Sequence, residues 1–125
     1  MSAYAILTLL LALQVKHFIC DYPLQRHGAR KGSAVPSEWV PDLAEHCAVH
    51  AVGSILCFLW FGWAFALQVA IIDFAAHAVV DRLKAHKSIG GRWAPSQKMF
   101  WMALGFDQFA HHVINLAFVA VAVTP

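Results

Sequence analysis

Four apolar segments of this chain each carry polar side chains at intervals of four residues. The four sets are His17-Asp21-Gln25, Asp42-His46-His50, Asp73-His77-Asp81 and Asp107-His111-Asn115. In an α-helix a step of four residues returns a side chain to nearly the same face, so each segment presents one polar stripe. Imidazole and carboxylate groups at this spacing on several facing helices can bind a transition-metal ion together. The pattern therefore predicts one buried metal site.

The segments that carry these stripes are long and apolar. Sixty per cent of the residues are hydrophobic, only 13% are charged, and the mean hydropathy is +0.60. We predict helices over about 3–22, 42–61, 64–85 and 97–123, each close to the roughly 20 residues that cross a bilayer. A small soluble bundle is the alternative, but helices that are apolar on all sides leave it no solvated face. We therefore expect an all-α, polytopic membrane protein, a four-transmembrane-helix bundle that forms a single domain over 1–125.

The basic residues predict how this bundle is oriented. All nine Lys and Arg lie around the first and third connections, and the other side of the proposed topology has none. By the positive-inside rule these two connections face the cytoplasm, and both termini lie on the outer side. The four polar stripes then converge on the cytoplasmic leaflet.

Seven side chains are the expected metal ligands. They are His46, His50, Asp73, His77, Asp81, Asp107 and His111. Imidazole combined with carboxylate suits zinc, manganese or iron rather than calcium, and we expect zinc first. Asp73 lies deepest in its segment, so its carboxylate most needs a partner. The carboxamides of Gln25, Gln108 and Asn115 bind such metals weakly, and we expect them to hydrogen-bond to the ligands instead.

The stripes nearest the predicted interface allow two interpretations. His17 and Asp21 are either catalytic groups, with Asp21 as a general base, or solvated residues that pair with Lys16. Asp42 is either part of the site or the cap that begins the second helix just after Pro41. For His46 and His50 the alternative is a pair of hydrogen bonds between helices, without an ion.

The motifs also resemble a known family. The run His17-Phe18-Ile19-Cys20-Asp21-Tyr22-Pro23-Leu24-Gln25, with the three later stripes, is similar to small bacterial and phage membrane proteins known as domain of unknown function 3307. This resemblance spans nearly the whole chain and implies four membrane helices and little more. We expect the protein in the bacterial inner (cytoplasmic) membrane. A more distant likeness links the chain to predicted membrane-bound metal-dependent hydrolases, which resemble zinc-dependent phospholipase C through helical His-x3-Asp pairs.

These observations favour a membrane-embedded, metal-dependent hydrolase that acts on a lipid or lipid-linked phosphoester near the cytoplasmic leaflet. The metal would activate a water molecule, with Asp21 and His17 as the catalytic groups. Basic residues would either bind anionic head groups or only determine how the protein is oriented in the membrane. The head-group candidates are Arg26, Arg30, Lys84 and Arg92. We expect membrane lipids and a second copy of the chain as partners, and no nucleic acid.

Two other functions use the same residues. Chains of Asp and His inside a membrane also mark routes for protons or metal ions, so the protein is alternatively a transporter. It is also alternatively a non-catalytic membrane adaptor, in which a fully coordinated metal only holds the helices together.

Overall fold

The computed structural model describes residues 1–25 and 30–124, and of Arg30 it describes the backbone alone. Its four helices are α1 (Ala3–Asp21), α2 (Pro36–Phe58), α3 (Trp63–Ala85) and α4 (Lys98–Val123). The described residues form no strand, which confirms the all-α prediction. All four helices are long and apolar enough to cross a membrane, so the chain is a multi-pass membrane protein. The orientation of its termini stays a prediction.

Helix α2 begins at Pro36 instead of the expected Asp42 and runs through Pro41. Pro36 occupies the first helical position, where a missing N–H costs little because that group has no partner within the helix. Pro41 removes one hydrogen bond in the second turn, which the helix tolerates. The prediction was wrong because Pro41 was interpreted as the residue before the helix. Asp42 is consequently a helical, buried residue and not the cap.

The helices form an up-and-down bundle in which each helix packs against its neighbours in sequence and α4 closes against α1. Helices α2 and α3 make the most extensive contact. They are joined by a 3-10 turn, Leu59–Phe61, and by Gly62. The φ of Gly62 is 98°, a conformation that favours glycine.

The two ends of the bundle have different cores. At the apolar end the buried side chains are Leu9, Leu13, Phe58, Ala66, Val69, Phe118 and Val119. At the polar end, where α1 ends and α2 begins, most of the buried side chains are ionisable. The lipid-facing surface is apolar, with Leu7, Leu56, Ile71 and Phe106 each more than half exposed. At the polar end, charged groups are thus buried inside a bundle whose outer surface is largely apolar.

Lys16 crosses the interior of the bundle from α1 to α3. Its Nζ lies 2.6 Å from Asp73 Oδ2, and both side chains are almost fully buried. The hydroxyl of Ser54, on α2, donates a hydrogen bond of 2.8 Å to the same oxygen. The aliphatic chain of Lys16 passes over Gly53, where an added Cβ would lie 2.8 Å from Lys16 Cγ. One ion pair therefore links three helices, and the absence of a side chain at Gly53 gives it room.

Replacing Gly53 with alanine should weaken the bundle, because the new methyl group would collide with the Lys16 chain. We expect the free energy of unfolding to fall by about 1–3 kcal/mol, as in other overpacked cores, measured by reversible unfolding in sodium dodecyl sulfate. Gly105→Ala is the matched control, since a Cβ at Gly105 would meet nothing within 4 Å. Because alanine has a higher helix propensity than glycine, that variant should be at least as stable as the unmodified protein. Equal stability of the two variants would show that Lys16 does not follow this path.

Candidate metal centre

All four helices bring imidazole or carboxylate groups to one place at the polar end of the bundle. We call this group the His/Asp cluster; it consists of His17, Asp21, His46, His50, His77, Asp81, Asp107 and His111. Asp21 is partly exposed, and the other seven residues are buried. Neighbouring rings are in contact: the centroids of His50 and His77 are 3.6 Å apart, and those of His77 and His111 are 4.0 Å apart. The stripes on separate helices thus meet in one cluster.

Three imidazole rings direct their Nε2 atoms toward the carboxylate of Asp21. The distances are 3.0 Å from His50 to Oδ1, 3.5 Å from His46 to Oδ1, and 3.2 Å from His17 to Oδ2. A tetrahedral zinc ion with bonds of about 2.0–2.1 Å places neighbouring ligand atoms about 3.3 Å apart. Each of these three distances is close to that spacing, and Asp21, His46 and His50 form one set whose ligand atoms all lie within 4.8 Å of one another. The His46 contact is also longer than an ordinary N–H···O hydrogen bond.

The cluster offers more than one set of ligands. Four sets of three residues each have ligand atoms within 4.8 Å of one another: His17-His50-His77, Asp21-His46-His50, His46-His77-Asp81 and Asp81-Asp107-His111. The second and fourth of these sets share no residue. The described side chains can therefore supply three ligands to each of two ions, a common arrangement in metal-binding helical bundles.

Several buried imidazole nitrogens have no hydrogen-bond partner among the described residues. They are Nδ1 of His17, His46, His50 and His77, and Nε2 of His111. Leaving a buried polar atom unsatisfied costs about 1–3 kcal/mol, so five such atoms in contact are unfavourable if the rings serve only packing. Neutral imidazole is the commonest metal ligand in proteins. The donor set therefore fits a transition-metal ion.

Charge balance distinguishes Asp21 from the other buried carboxylates. Three of those carboxylates each pair with a lysine, with Nζ to Oδ2 distances of 2.6, 3.0 and 2.8 Å for Lys16–Asp73, Lys31–Asp81 and Lys84–Asp107. Within the described part of the chain, Asp21 contacts imidazoles and the Gln108 amide but no lysine or arginine. A charge in such surroundings needs a counter-charge. Among the described residues a protonated imidazole is the one available counter-charge, and a bound cation is the other source.

The contacts of three predicted site residues differ from those expected for their predicted roles. His17 and Asp21, expected to be catalytic groups rather than ligands, both belong to potential ligand sets. Asp73, expected to be among the strongest ligands, belongs to none of the four sets. Besides its bond to Lys16, its Oδ1 lies 3.6 Å from His77 Nε2. A ligand role for Asp73 stays a prediction, and its contacts suit a group that orients the His77 ring.

Gln108 supports the ligands as its residue type suggested. Its Nε2 donates hydrogen bonds to Asp21 Oδ2 at 3.2 Å and to Asp107 Oδ2 at 3.1 Å. Its Oε1 lies 3.2 Å from His17 Nε2. One amide therefore bridges two carboxylates and an imidazole, and it fixes their relative positions.

The other two carboxamides are less closely tied to the cluster. Asn115 is buried on α4, and its Nδ2 has no hydrogen-bond partner among the described residues. Gln25 is exposed and lines a small cavity beside His46. Supporting roles for Asn115 and Gln25 stay predictions.

The four expected head-group residues have different environments. Arg26 lies outside the described residues, as does the side chain of Arg30. The ammonium of Lys84 belongs to an ion pair inside the bundle, although one third of its side chain is exposed. Arg92 is exposed and stacks over the Trp93 ring, 4.5 Å from the ring centroid. Of the described side chains in this group, Arg92 is the one that stays available to a lipid head group.

A family model matches residues 6–125 of this chain. The chain belongs to the family described as Protein of unknown function (DUF3307). The match includes every residue of the His/Asp cluster and confirms the resemblance based on the stripes. The likeness to metal-dependent hydrolases stays a prediction. No curated protein and no solved structure matches the chain.

The sequence did not reveal the lysine partners in this DUF3307 protein. Lys16 lies inside an apolar segment rather than in a loop, and that position was a usable signal. Lys31 had no such signal. It reaches Asp81 because the turn Arg30–Gly32 folds back against α3, where Arg82 donates hydrogen bonds to the carbonyl groups of Lys31 and Ser33. This contact depends on the tertiary fold.

Removing the Gln108 amide should weaken metal binding without removing a ligand. For Gln108→Ala we expect zinc affinity to fall by about 10- to 100-fold, as for other groups that orient metal ligands, with unchanged stoichiometry at saturating zinc. Chelator competition on detergent-purified protein measures the affinity. His86→Ala, a histidine outside the cluster, is the control and should bind zinc like the unmodified protein. Unchanged affinity in Gln108→Ala would mean that the amide does not support the site.

Proposed function

We propose that this protein is a metal-dependent hydrolase of a membrane-lipid phosphoester, acting at the cytoplasmic face of a bacterial inner membrane. The observation that carries the proposal is the convergence of three imidazole Nε2 atoms on Asp21, the one cluster carboxylate without a lysine among the described residues. A protonated imidazole would balance the Asp21 charge through a single ring. A transition-metal ion would balance the same charge and take Asp21, His46 and His50 as ligands together.

A small polar cavity beside the cluster suits hydrolysis. It is lined by Leu24, Gln25, Lys31, Asp42, Glu45, His46 and Val49. Its volume is about 10 Å³, which is room for one water molecule. A ligand of the cluster and several ionisable groups thus surround a space of the size that the attacking water needs.

The residues around this polar cavity have separable roles. A bound zinc-type ion lowers the pKa of a coordinated water and polarises a phosphoryl oxygen. Glu45 has an exposed carboxylate at the cavity and can accept a proton from the attacking water, the task that the sequence had suggested for Asp21. The Lys31 ammonium, which is paired with Asp81, adds positive charge to the wall of the cavity. His46 holds its Nε2 2.9 Å from Asp81 Oδ2, which fixes the ring beside the cavity.

The apolar end of the bundle favours hydrolysis over transport. Phe58 is fully buried there, and its ring contacts Phe61, Phe65 and Phe118 at centroid distances of 5.8–6.2 Å. A transported proton or metal ion would need polar groups along this half of its route. The cluster instead occupies one half of the bundle, as expected for a site served from a single leaflet.

Metal content is the first test of the proposal. Inductively coupled plasma mass spectrometry of detergent-purified protein should find one or two equivalents of zinc, manganese or iron. Asp21→Asn and His50→Ala each weaken or remove one ligand of the set Asp21-His46-His50 and should lower the metal content by at least half. His86→Ala should retain it. Folded protein that contains no stoichiometric metal would overturn the proposal.

Turnover is the second test, and Glu45→Gln is its most informative variant. Because Glu45 is placed as a proton acceptor and not as a ligand, the variant should keep its metal while kcat falls by about 10²- to 10⁴-fold. Zinc-loaded protein in phospholipid vesicles is assayed by mass spectrometry for hydrolysed lipid products. Chelation should abolish the activity, and zinc should restore it. Tightly held metal without any turnover would instead favour the alternative function, a non-catalytic membrane adaptor in which the metal only holds the helices together.

A further inference from the structure

A long apolar groove opens to the lipid between α1 and α2. Its volume is about 710 Å³, within the range of small-molecule binding sites. We call it the α1/α2 groove; its walls include Ala12, Val15, Ala48, Val52, Gly53 and Leu56. Along α2 it extends from Glu45 to Leu56, about 16 Å at a rise of 1.5 Å per residue. The small side chains of Ala12, Ala48 and Gly53 make this surface concave.

The α1/α2 groove leads to the polar cavity. Leu24, Glu45 and Val49 line both spaces. At this junction the apolar walls of the groove give way to the imidazole of His46 and the ammonium of Lys31. A matching occupant is apolar over about 16 Å and polar at one end. Phospholipids have this form and surround the protein in the membrane.

We propose that the α1/α2 groove binds one acyl chain of a membrane phospholipid and presents the phosphoester of that lipid to the polar cavity. This inference rests on the proposed function and adds the substrate class and its route of entry. The lipid enters sideways from the bilayer, between α1 and α2. Its chain lies along α2, and its polar end lies next to Glu45 and His46.

A second apolar groove, of about 390 Å³, lies between α3 and α4 and is the competing route. Lys84 and Asp107 line its inner part, and their side chains are bonded to each other at 2.8 Å. None of the cluster's described imidazoles lines this second groove. The α1/α2 groove is larger and adjoins the polar cavity, so it is the better match to a substrate.

Photo-crosslinking in nanodiscs tests where the chain lies. The probe is a phosphatidylethanolamine with a diazirine at the end of one acyl chain, and labelled positions are found by peptide mass spectrometry. A chain in the α1/α2 groove brings its end close to Val52, Leu56 and Ala12. We expect at least fivefold more label there than at Ile71 and Ile72, which are exposed on α3 but do not line the groove.

Two substitutions of alanine by tryptophan distinguish binding in the groove from general contact with lipid. Ala48→Trp fills the α1/α2 groove and should reduce its label and the lipid turnover at least fivefold. Ala75→Trp is the matched control, because Ala75 is exposed on α3 beside His77 and lines neither groove. It should leave both readouts unchanged. Metal content, measured on the same samples, should be the same in both variants.

The outcomes distinguish this inference from the proposed function. Metal-loaded protein with label spread evenly over the helices, or concentrated between α3 and α4, would overturn the acyl-chain site and leave the metal centre standing. Label in the α1/α2 groove of metal-free protein would support the acyl-chain site and overturn hydrolysis. A dimer that excludes the probe and is disrupted by Ala48→Trp would show that a second copy, not a lipid, fills the groove.

Discussion

The need to neutralise buried negative charge controls the architecture of this protein. Four carboxylates that belong to or adjoin the cluster lie inside a bundle whose outer surface faces hydrocarbon, where an uncompensated charge costs several kcal/mol. Three of them have their own lysine, drawn from α1, from the first connection and from α3. These ion pairs connect α1 with α3, the first connection with α3, and α3 with α4. The polar end is thus held together by charge, as the apolar end is by its aromatic core.

The same constraint explains why we place the proposed metal site around Asp21. Once each lysine is committed to one carboxylate, Asp21 is left with imidazoles and the Gln108 amide. Its negative charge and the unpartnered ring nitrogens then make one place in the bundle attractive to a cation. Lysine pairing and the proposed metal site around Asp21 therefore use different carboxylates, although the cluster is continuous.

Periodicity alone was enough to predict the helices and the meeting of their polar stripes. A step of four residues fixes which side chains share a face, and the length of an apolar run fixes whether it can cross a membrane. The local pattern failed at Pro41, because a proline is compatible both with the position just before a helix and with the first turns of the helix. It also failed to predict the partner of Asp73. Long-range contacts such as Lys16–Asp73 depend on how the helices pack, and the spacing of residues along the chain does not contain that information.

The Lys16–Asp73 pair also has a consequence for biogenesis. The two residues are 57 positions apart, so Lys16 is synthesised well before its partner. On insertion scales each charge alone costs about 2.5–3.5 kcal/mol at the centre of a membrane helix. Asp73 lies at the middle of α3, so its carboxylate is the charge that most needs a partner during insertion, and α1 supplies that partner from a position nearer its own end. The ion pair therefore couples the insertion of the third helix to the presence of the first, and a chain without α1 leaves Asp73 uncompensated.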